Sequence, residues 1–421
     1  MAAKLDLGNL LVHLNLNTAQ YFYAMKMAEK RMSMFSGGVG NIVKKITKAT
    51  TVALLAIGGT SVKAFANFDD AMTKSLAIMN GVTPVMRKEM EALALTMSDQ
   101  SVTSATDLAK SYFYLASAGF DAEQSMASLN AVNQFAIAGN FDMAQATDLA
   151  TDAQSALGLT VKDAAKNMEG MVRVTDVLVG ANTLANATVE QFSLALTSGA
   201  GPAMKAYGIE LEEGVAVLAA YADQGIKAQH AGNMLSRMLR LMTKGFKDNR
   251  GAWKQFNIDI FDSTGELKPL YEIIGDLSLV LNNMSTEQKI ASLELLGFQA
   301  RSQQAILPLL GLQDRIKEYN QELLEMGGIT KEVADKNMAS FSAKMKILWN
   351  NIRNVGIAIG DRLAPSIERI GTFFRNNKIT IQDWSVAFAD RVVFVKDVLF
   401  NFIMFMKNDW KAGIGVVLDV S

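Results

Sequence analysis

Few residues of this 421-residue chain are of a type that does covalent or acid–base chemistry at neutral pH. There are two histidines, His13 and His230, in separate regions, and no cysteine. The lack of cysteine excludes disulfides, thiolate nucleophiles and zinc–thiolate sites. A general base or nucleophile must lie within hydrogen-bond reach of its partner. No G-x-S-x-G, H-E-x-x-H, Walker loop or strand-turn-helix G-x-G-x-x-G supplies such a pairing. Gly37, Gly38 and Gly40 cluster, but no strand precedes them and no Lys-Ser/Thr comes after, so they read as a hinge. The adjacent Glu212 and Glu213 sit where a helix starts, a place where the helix dipole favours negative charge. Asp259 and Asp262 lack the ligand spacing of a calcium loop. The expectation is no enzyme: no catalytic residue, no cofactor and no metal.

One charged pattern carries more weight. Arg237, Arg240, Lys244 and Lys247 fall at i, i+3, i+7 and i+10, which is one side of a helix. Such a stripe can meet phosphates or an acidic protein surface. The same helix carries Met234, Leu235, Met238, Leu239, Leu241 and Met242, so it also reads as an amphipathic core helix that pairs with the acidic region 64–225. The second reading is preferred, and His230 is read as a surface or packing residue. The net charge of −1 is unevenly spread. Residues 1–63 hold eight basic and two acidic groups, residues 64–225 eight and nineteen, and residues 226–256 seven and one. Blocks of this kind order segments against each other or against a partner.

The elements that position these groups are helices. Half of the residues are hydrophobic, and only five are Pro, which costs about 3 kcal/mol inside a helix. The 24 Met residues suit a chain that packs in irregular or changeable ways. Three regions are expected. Residues 1–63 form a basic helical segment. Its start lacks the charged and apolar stretches of a secretory leader. A second apolar helix is expected from about Ile42 to Phe68. Residues 64–325 form a multi-helical core, and residues 326–421 contain long helices and an apolar end.

Helix starts in the core are marked by an oxygen-bearing residue with an acid or amide three positions later. The pairs are Ser104 with Asp107, Asp121 with Gln124, Thr160 with Asp163, Thr188 with Gln191 and Ser285 with Gln288. Thr83-Pro84 places Pro at a first helical position. Helix ends are marked by Gly with an apolar residue after it, at Gly119, Gly158, Gly208 and Gly225. A small β-hairpin is expected near 258–267. A long helix is expected from Lys331 to about Phe374, bent or interrupted at Pro365, with Ile347, Leu348, Ile352, Val355 and Ile359 at helical spacing. The later run Val392–Met406 holds Val393, Phe394, Leu399, Phe400, Phe402, Ile403 and Phe405, which must be covered by partner helices or lipid. The fold class is all-α.

In the middle region an ordered series of segments resembles the core of phage tail tape measure proteins. It begins with Phe65-Ala66-Asn67-Phe68-Asp69-Asp70-Ala71-Met72. Leu115-Ala116-Ser117-Ala118-Gly119-Phe120 and Leu157-Gly158-Leu159 come next. The strongest piece is GPAMKAYGIELEEGVAVLAAYADQGIKAQHAGNMLSRML, residues 201–239, and the turn at Gly265 also has a counterpart. The resemblance covers about residues 65–310. It implies a non-enzymatic protein in the lumen of a tail tube, present in a few copies. That protein nucleates tube assembly with baseplate or tip proteins, sets tube length and helps the genome leave. The partners it implies are tube and tip proteins, a tail assembly chaperone and further copies of the chain, with DNA contact weakly indicated. It places the protein in the virion, and in the host cytoplasm during assembly. Two alternatives stay open: a membrane-active pore or DNA-entry channel that uses the host membrane through Thr51–Gly59, Val355–Ile359 and Val392–Met406, and a helical scaffold unrelated to phage.

Overall fold

The computed structural model describes residues 49–377, and within them the architecture is all-α. Ile357 closes one compact unit and Ala358 opens a second. In chain order the first helices are α1 (Ala49–Ala77), α2 (Pro84–Gln100), α3 (Ala105–Ser117), α4 (Ala122–Gly139), α5 (Met143–Ala156) and α6 (Ala164–Leu184). Then come α7 (Val189–Ala195), a π turn (Leu196–Ala200), α8 (Gly201–Tyr207), α9 (Leu211–Asp223), α10 (Ala228–Asp248) and α11 (Arg250–Gln255). The series ends with α12 (Leu270–Leu281), α13 (Thr286–Leu295), 3-10 turns at Ala300–Ala305 and Leu307–Leu309, α14 (Gln313–Glu325), α15 (Ile329–Met338) and α16 (Phe341–Asn377). The helix expected to end near Phe68 continues to Ala77. Its last turns are held by Ser75, whose hydroxyl donates to Ala109 O at 2.8 Å, and by Asp69, which meets Arg87 at 2.5 Å.

The caps explain where helices begin. Asp121 with Gln124, Thr188 with Gln191 and Ser285 with Gln288 form reciprocal boxes, each satisfying two otherwise orphaned N–H groups. Thr83 accepts from Met86 N, with Pro84 at the first position. Ser104 accepts from Asp107 N at 3.2 Å, but its hydroxyl donates to the Asp107 carboxylate at 2.7 Å, so that box is closed on one side only. The expected Thr160 start is corrected. Asp163 caps α6 by accepting from Lys166 N at 2.9 Å, while Thr160 pairs with Ser155. The turn leaving α5 still occupies residues 157–159, so the helix cannot begin until its capping carboxylate is clear of it.

Helix ends share one repeated closure. Gly119, Gly158, Gly208 and Gly225 all have positive φ, between 68° and 88°. The next residue is apolar and donates its N–H to the carbonyl five back: Phe120 to Leu115, Leu159 to Gln154, Ile209 to Met204, Ile226 to Tyr221. This satisfies a terminal carbonyl and lays the apolar side chain against the last turn. The same closure occurs at Gly297 and, with Asn in place of Gly, at Asn140 (φ 57°) and Asn257 (φ 56°). The expected hairpin is smaller than a hairpin: a single antiparallel bridge joins Phe261 and Leu267. Asp262 organises the loop by accepting from Thr264 N at 2.8 Å and Glu266 N at 3.1 Å.

At the centre lies α9. Its sequence, LEEGVAVLAAYAD, is apolar on nearly every side, and eleven of its thirteen residues are buried. A helix of this kind must be enclosed. α6, α7, α10 and α14 pack around it, with small residues allowing close approach. Its polar groups are individually anchored. Arg173 of α6 grips the buried Glu212 carboxylate with two bonds, at 2.8 and 2.5 Å, and reaches Glu210 at 2.8 Å. These bonds hold the Arg173 guanidinium above its ordinary pKa, the Glu212 bond most of all. Glu213 accepts from Leu270 N at the start of α12. The Tyr221 hydroxyl donates to Ala305 O, and the Tyr319 hydroxyl of α14 donates to Asp223 at 2.6 Å.

The C-terminal helices are pinned by polar bonds to the body. The buried Asp176 carboxylate accepts from Gly328 N at 2.7 Å and Thr330 N at 3.0 Å, so α6 supplies the anchor for the start of α15. Asn337 donates to Ile137 O at 2.9 Å. The long helix expected from Lys331 is divided at Ala339–Ser340, where the Ser340 hydroxyl accepts from Ala343 N at 3.2 Å. Pro365 lies inside α16 and does not end it.

Burial raises the pKa of the Glu213 carboxyl, and its bond from Leu270 N opposes this more weakly. For an acid raised in the folded state, the folded chain binds more protons across the window between the unfolded and folded values. Its stabilising contribution is therefore full at low pH and lost as pH rises. Glu213→Gln keeps an acceptor for Leu270 N but does not titrate. The melting temperature of the variant relative to the natural chain should rise between pH 4 and pH 7, measured by circular dichroism. A constant difference would show that Glu213 is not the titrating group.

Candidate partner-binding face

α10 has two faces with different tasks. Its inner face buries Leu235, Met238, Leu239 and Met242, with Met234 and Phe246 nearly as enclosed. The inner face is seated by glycine. A Cβ at Gly232 would overlap the Ala195 carbonyl oxygen, and one at Gly245 would overlap the Leu296 carbonyl oxygen. Backbone therefore meets backbone at both places. The Ala195 contact lies where α7 gives way to the π turn, whose Gly199 takes φ 146°. At the other end of α10, Phe246 meets Trp253 edge to face and Trp253 lies tilted against Phe298, and Trp253 Nε1 donates to Leu296 O at 3.1 Å.

The outer face carries Arg237, Arg240, Lys244 and Lys247, all four exposed, with His230 exposed in the first turn. Lys244 pairs with Asp248 of its own helix and holds that carboxyl below the usual carboxylate range. Arg237 donates to Arg301 O at 3.4 Å, which brings a further exposed cation to the same neighbourhood. The preferred pairing of this stripe with the acidic 64–225 region is not formed: among the described residues no ion pair joins the two. Those acids that form ion pairs are matched within their own region, Asp69 and Glu91 by Arg87, Asp70 by Lys74, Asp107 by Lys110, and Glu210 and Glu212 by Arg173. Lys244 is thus engaged by Asp248, while Arg237, Arg240 and Lys247 form no ion pair among the described residues.

The turn glycines expected from the sequence lie at the junctions of α3 with α4, α5 with α6, α8 with α9 and α9 with α10. Val393, Phe394, Leu399, Phe400, Phe402, Ile403 and Phe405 lie outside the described residues. Among the described residues no helix is long and apolar enough to cross a membrane, and no group of three or more His, Asp or Glu is placed to hold a metal ion. Sequence reading misses the Asp176 anchor. A lone Asp in an apolar helix, with its partners some 150 residues away, leaves no local pattern.

Residues 91–297, which run from within α2 to the Gly297 turn and include α9 and α10, match the family model of phage-related minor tail proteins. Over 375 residues the chain is 26% identical to the tape measure protein of Pneumococcus phage Dp-1, covering 88% of this chain and 32% of that protein. The chain is therefore similar to phage tail tape measure proteins. A second relative is the probable tape measure protein of Escherichia phage P2, 23% identical over 306 residues, or 70% of this chain and 36% of that protein. The chain thus spans about a third of the length of the curated tape measure proteins it matches. No solved structure matches it. The family match includes the whole of the basic helix and both of its glycine contacts.

The glycine seats give a contrast within one helical core. Gly232→Ala forces a methyl into a backbone carbonyl and should cost about 1–3 kcal/mol. Gly251→Ala in α11 meets nothing within 4 Å and should be neutral or stabilise by up to about 1 kcal/mol. Denaturant unfolding of the two variants checks this, and equal stabilities would mean that α10 is not seated on Gly232.

Proposed function

We propose that this chain works as a structural, non-enzymatic tape measure protein of a phage tail: it nucleates tail assembly, takes part in setting tube length and helps genome ejection. The observation that carries the reading is the match to tape measure proteins over most of the chain. In this reading residues 64–325 are the assembly core, flanked by segments 1–63 and 326–421. The protein lies in the tube lumen in the virion, in a few copies, after assembly in the host cytoplasm. Tube and tip proteins and a tail assembly chaperone are its partners.

The division of labour stems from shape. A packed body of short helices cannot report distance, because its turns cancel most of its contour length. A straight helix can, at about 1.5 Å per residue. Among the described elements α16 is the longest, with 37 residues, or about 55 Å of axis. An in-frame deletion of residues 358–375, five helical turns, in the phage gene should shorten tails by about 27 Å if this helix lies along the tube. Electron microscopy of averaged tails reads the change. Unchanged tails would remove α16 from the ruler.

The basic stripe of α10 is proposed to dock on an acidic surface of a tube or tip protein. Replacing Arg237, Arg240, Lys244 and Lys247 by Ala should change stability by no more than about 0.5 kcal/mol per site, since all four are exposed. Recovery of the protein in assembled tails should fall, and should fall in the natural chain too when assembly is attempted at high salt. Normal incorporation of the folded variant would assign the stripe to solubility alone.

A further inference from the structure

α16 is attached to the body by one side. Ala343, Asn350, Asn354 and Ile357 are buried, while Phe341, Leu348, Ile352 and Val355 are exposed. The attachment sets asparagine side chains against the end of α2, where the last carbonyls of a helix have no partner within the helix. Asn350 Nδ2 donates to Ser101 O at 3.0 Å and Thr103 O at 3.1 Å. Asn351, with its amide nitrogen toward α2, donates to Asp99 O at 3.1 Å, and Asn354 Nδ2 reaches Leu95 O at 3.4 Å. One carboxyl group sits among these amides. Asp99 Oδ1 accepts from Asn354 Nδ2 at 2.8 Å and from the Asn351 amide at 2.9 Å, so both bonds fall on the same oxygen. The side-chain oxygen of the same Asn354 is buried and has no donor.

We propose that Asp99 and Asn354 form a proton-operated latch between α2 and α16, tight when the carboxyl carries a proton and loose when it does not. A proton on Asp99 Oδ2 makes the carboxyl a donor, and Asn354 Oδ1 is the acceptor it meets. Acid and amide are then joined by two bonds in a ring, and the orphaned oxygen is satisfied. The proton is taken from solvent and returned to it. Without it the carboxylate only accepts, and Asn354 Oδ1 stays unpaired. A negative charge then stands in the last turn of α2, where the helix dipole opposes it. The charged groups of the elements packed here are engaged elsewhere or exposed. Glu91 of α2 holds Arg87, and Asp107 of α3 holds Lys110. Lys63 of α1 and Lys346 and Arg353 of α16 are exposed. From α4 comes Asn133, a neutral amide that accepts from the Thr103 hydroxyl at 2.6 Å. Burial raises the Asp99 carboxyl above its ordinary range, against a weaker opposing effect of the Asn354 bond. The folded chain therefore holds this proton more readily than the unfolded chain. The contribution of the latch is full at low pH and lost as pH rises through the folded value. Loosening frees residues 341–357 from the break at Ala339–Ser340 onward, while α15 stays on its Asp176 anchor.

The latch does not rest on the tail reading and is tested on the full chain in solution. Hydrogen exchange, corrected for its chemical rate, is followed by mass spectrometry at about pH 4.5 and about pH 7, above the ordinary carboxyl value and across a raised one. Peptides from 341–357 should be about three- to tenfold better protected at the lower pH, the worth of one net hydrogen bond. Peptides from α9, measured alongside, report on the body. Asp99→Asn puts an amide N–H where the protonated carboxyl has its O–H. In this variant α16 should show the low-pH protection at both values. Asn354→Leu removes the amide partner and should lower α16 protection at both values, with α9 unchanged. Protection of α16 that does not change with pH relative to α9 would overturn the proposal. So would an Asp99→Asn chain whose α16 still responds to pH as the natural one does, since the proton would then belong to another group. Exchange of α16 and α9 at one common rate in every variant would mean that α16 does not detach by itself, which also overturns it.

Discussion

A helix that is apolar all round has no side to offer to water, and α9 is such a helix. Burying Leu211, Val215, Val217, Leu218 and Tyr221 is favourable only if every side is covered, so α6, α7, α10 and α14 must close around it. Its few polar groups then have to be met inside the body. Glu212 is met by Arg173, Glu213 by the amide that opens α12 and Tyr221 by the Ala305 carbonyl, while the exposed Asp223 at the helix end takes the Tyr319 hydroxyl. Two of these bonds also fix an element's end: Leu270 opens α12 and Ala305 closes the first 3-10 turn. One demand of burial therefore positions α6, α12, the first 3-10 turn and α14 together.

The same demand governs the helix that carries the basic stripe. α10 can lie against α7 and against the end of α13 only because Gly232 and Gly245 let backbone touch backbone. That close seat takes up its apolar side and leaves the cations outward. The acids of the 64–225 region that form ion pairs find their partners within that region, so the stripe is not neutralised from there. Charge on this surface is thus sorted by packing: carboxylates near the core hold helices, and the cations of the stripe stay exposed.

In the proposed tape measure role the two kinds of surface have separate uses. The packed body holds its shape while it presents charge. α16 is held by three amide bonds on one side and presents apolar side chains on the other. A chain that assembles with others benefits from surfaces that are rigid before they meet a partner, because the entropy of ordering them has already been lost in folding.

Local rules are legible without the structure. Asp121 with Gln124, Thr188 with Gln191 and Ser285 with Gln288 show a helix start by chemistry confined to four residues, and Gly119, Gly158, Gly208 and Gly225 show a helix end in the same way. The apolar period of α10 locates its stripe. Closures at Asn140 and Asn257 escape because Asn tolerates the left-handed conformation but does not advertise it as Gly does. Thr160 has the chemistry of a cap and is not one, because a preceding turn, not the residue itself, decides when a helix can start. What only the tertiary structure decided was pairing between distant groups: Asp176 with the start of α15, Asn350 with Ser101 and Thr103, and, among the described residues, the absence of any ion pair from the basic stripe to the acidic region. Those outcomes depend on which helices surround α9. That is a competition among many apolar faces for one enclosed volume, and no window of the sequence contains it.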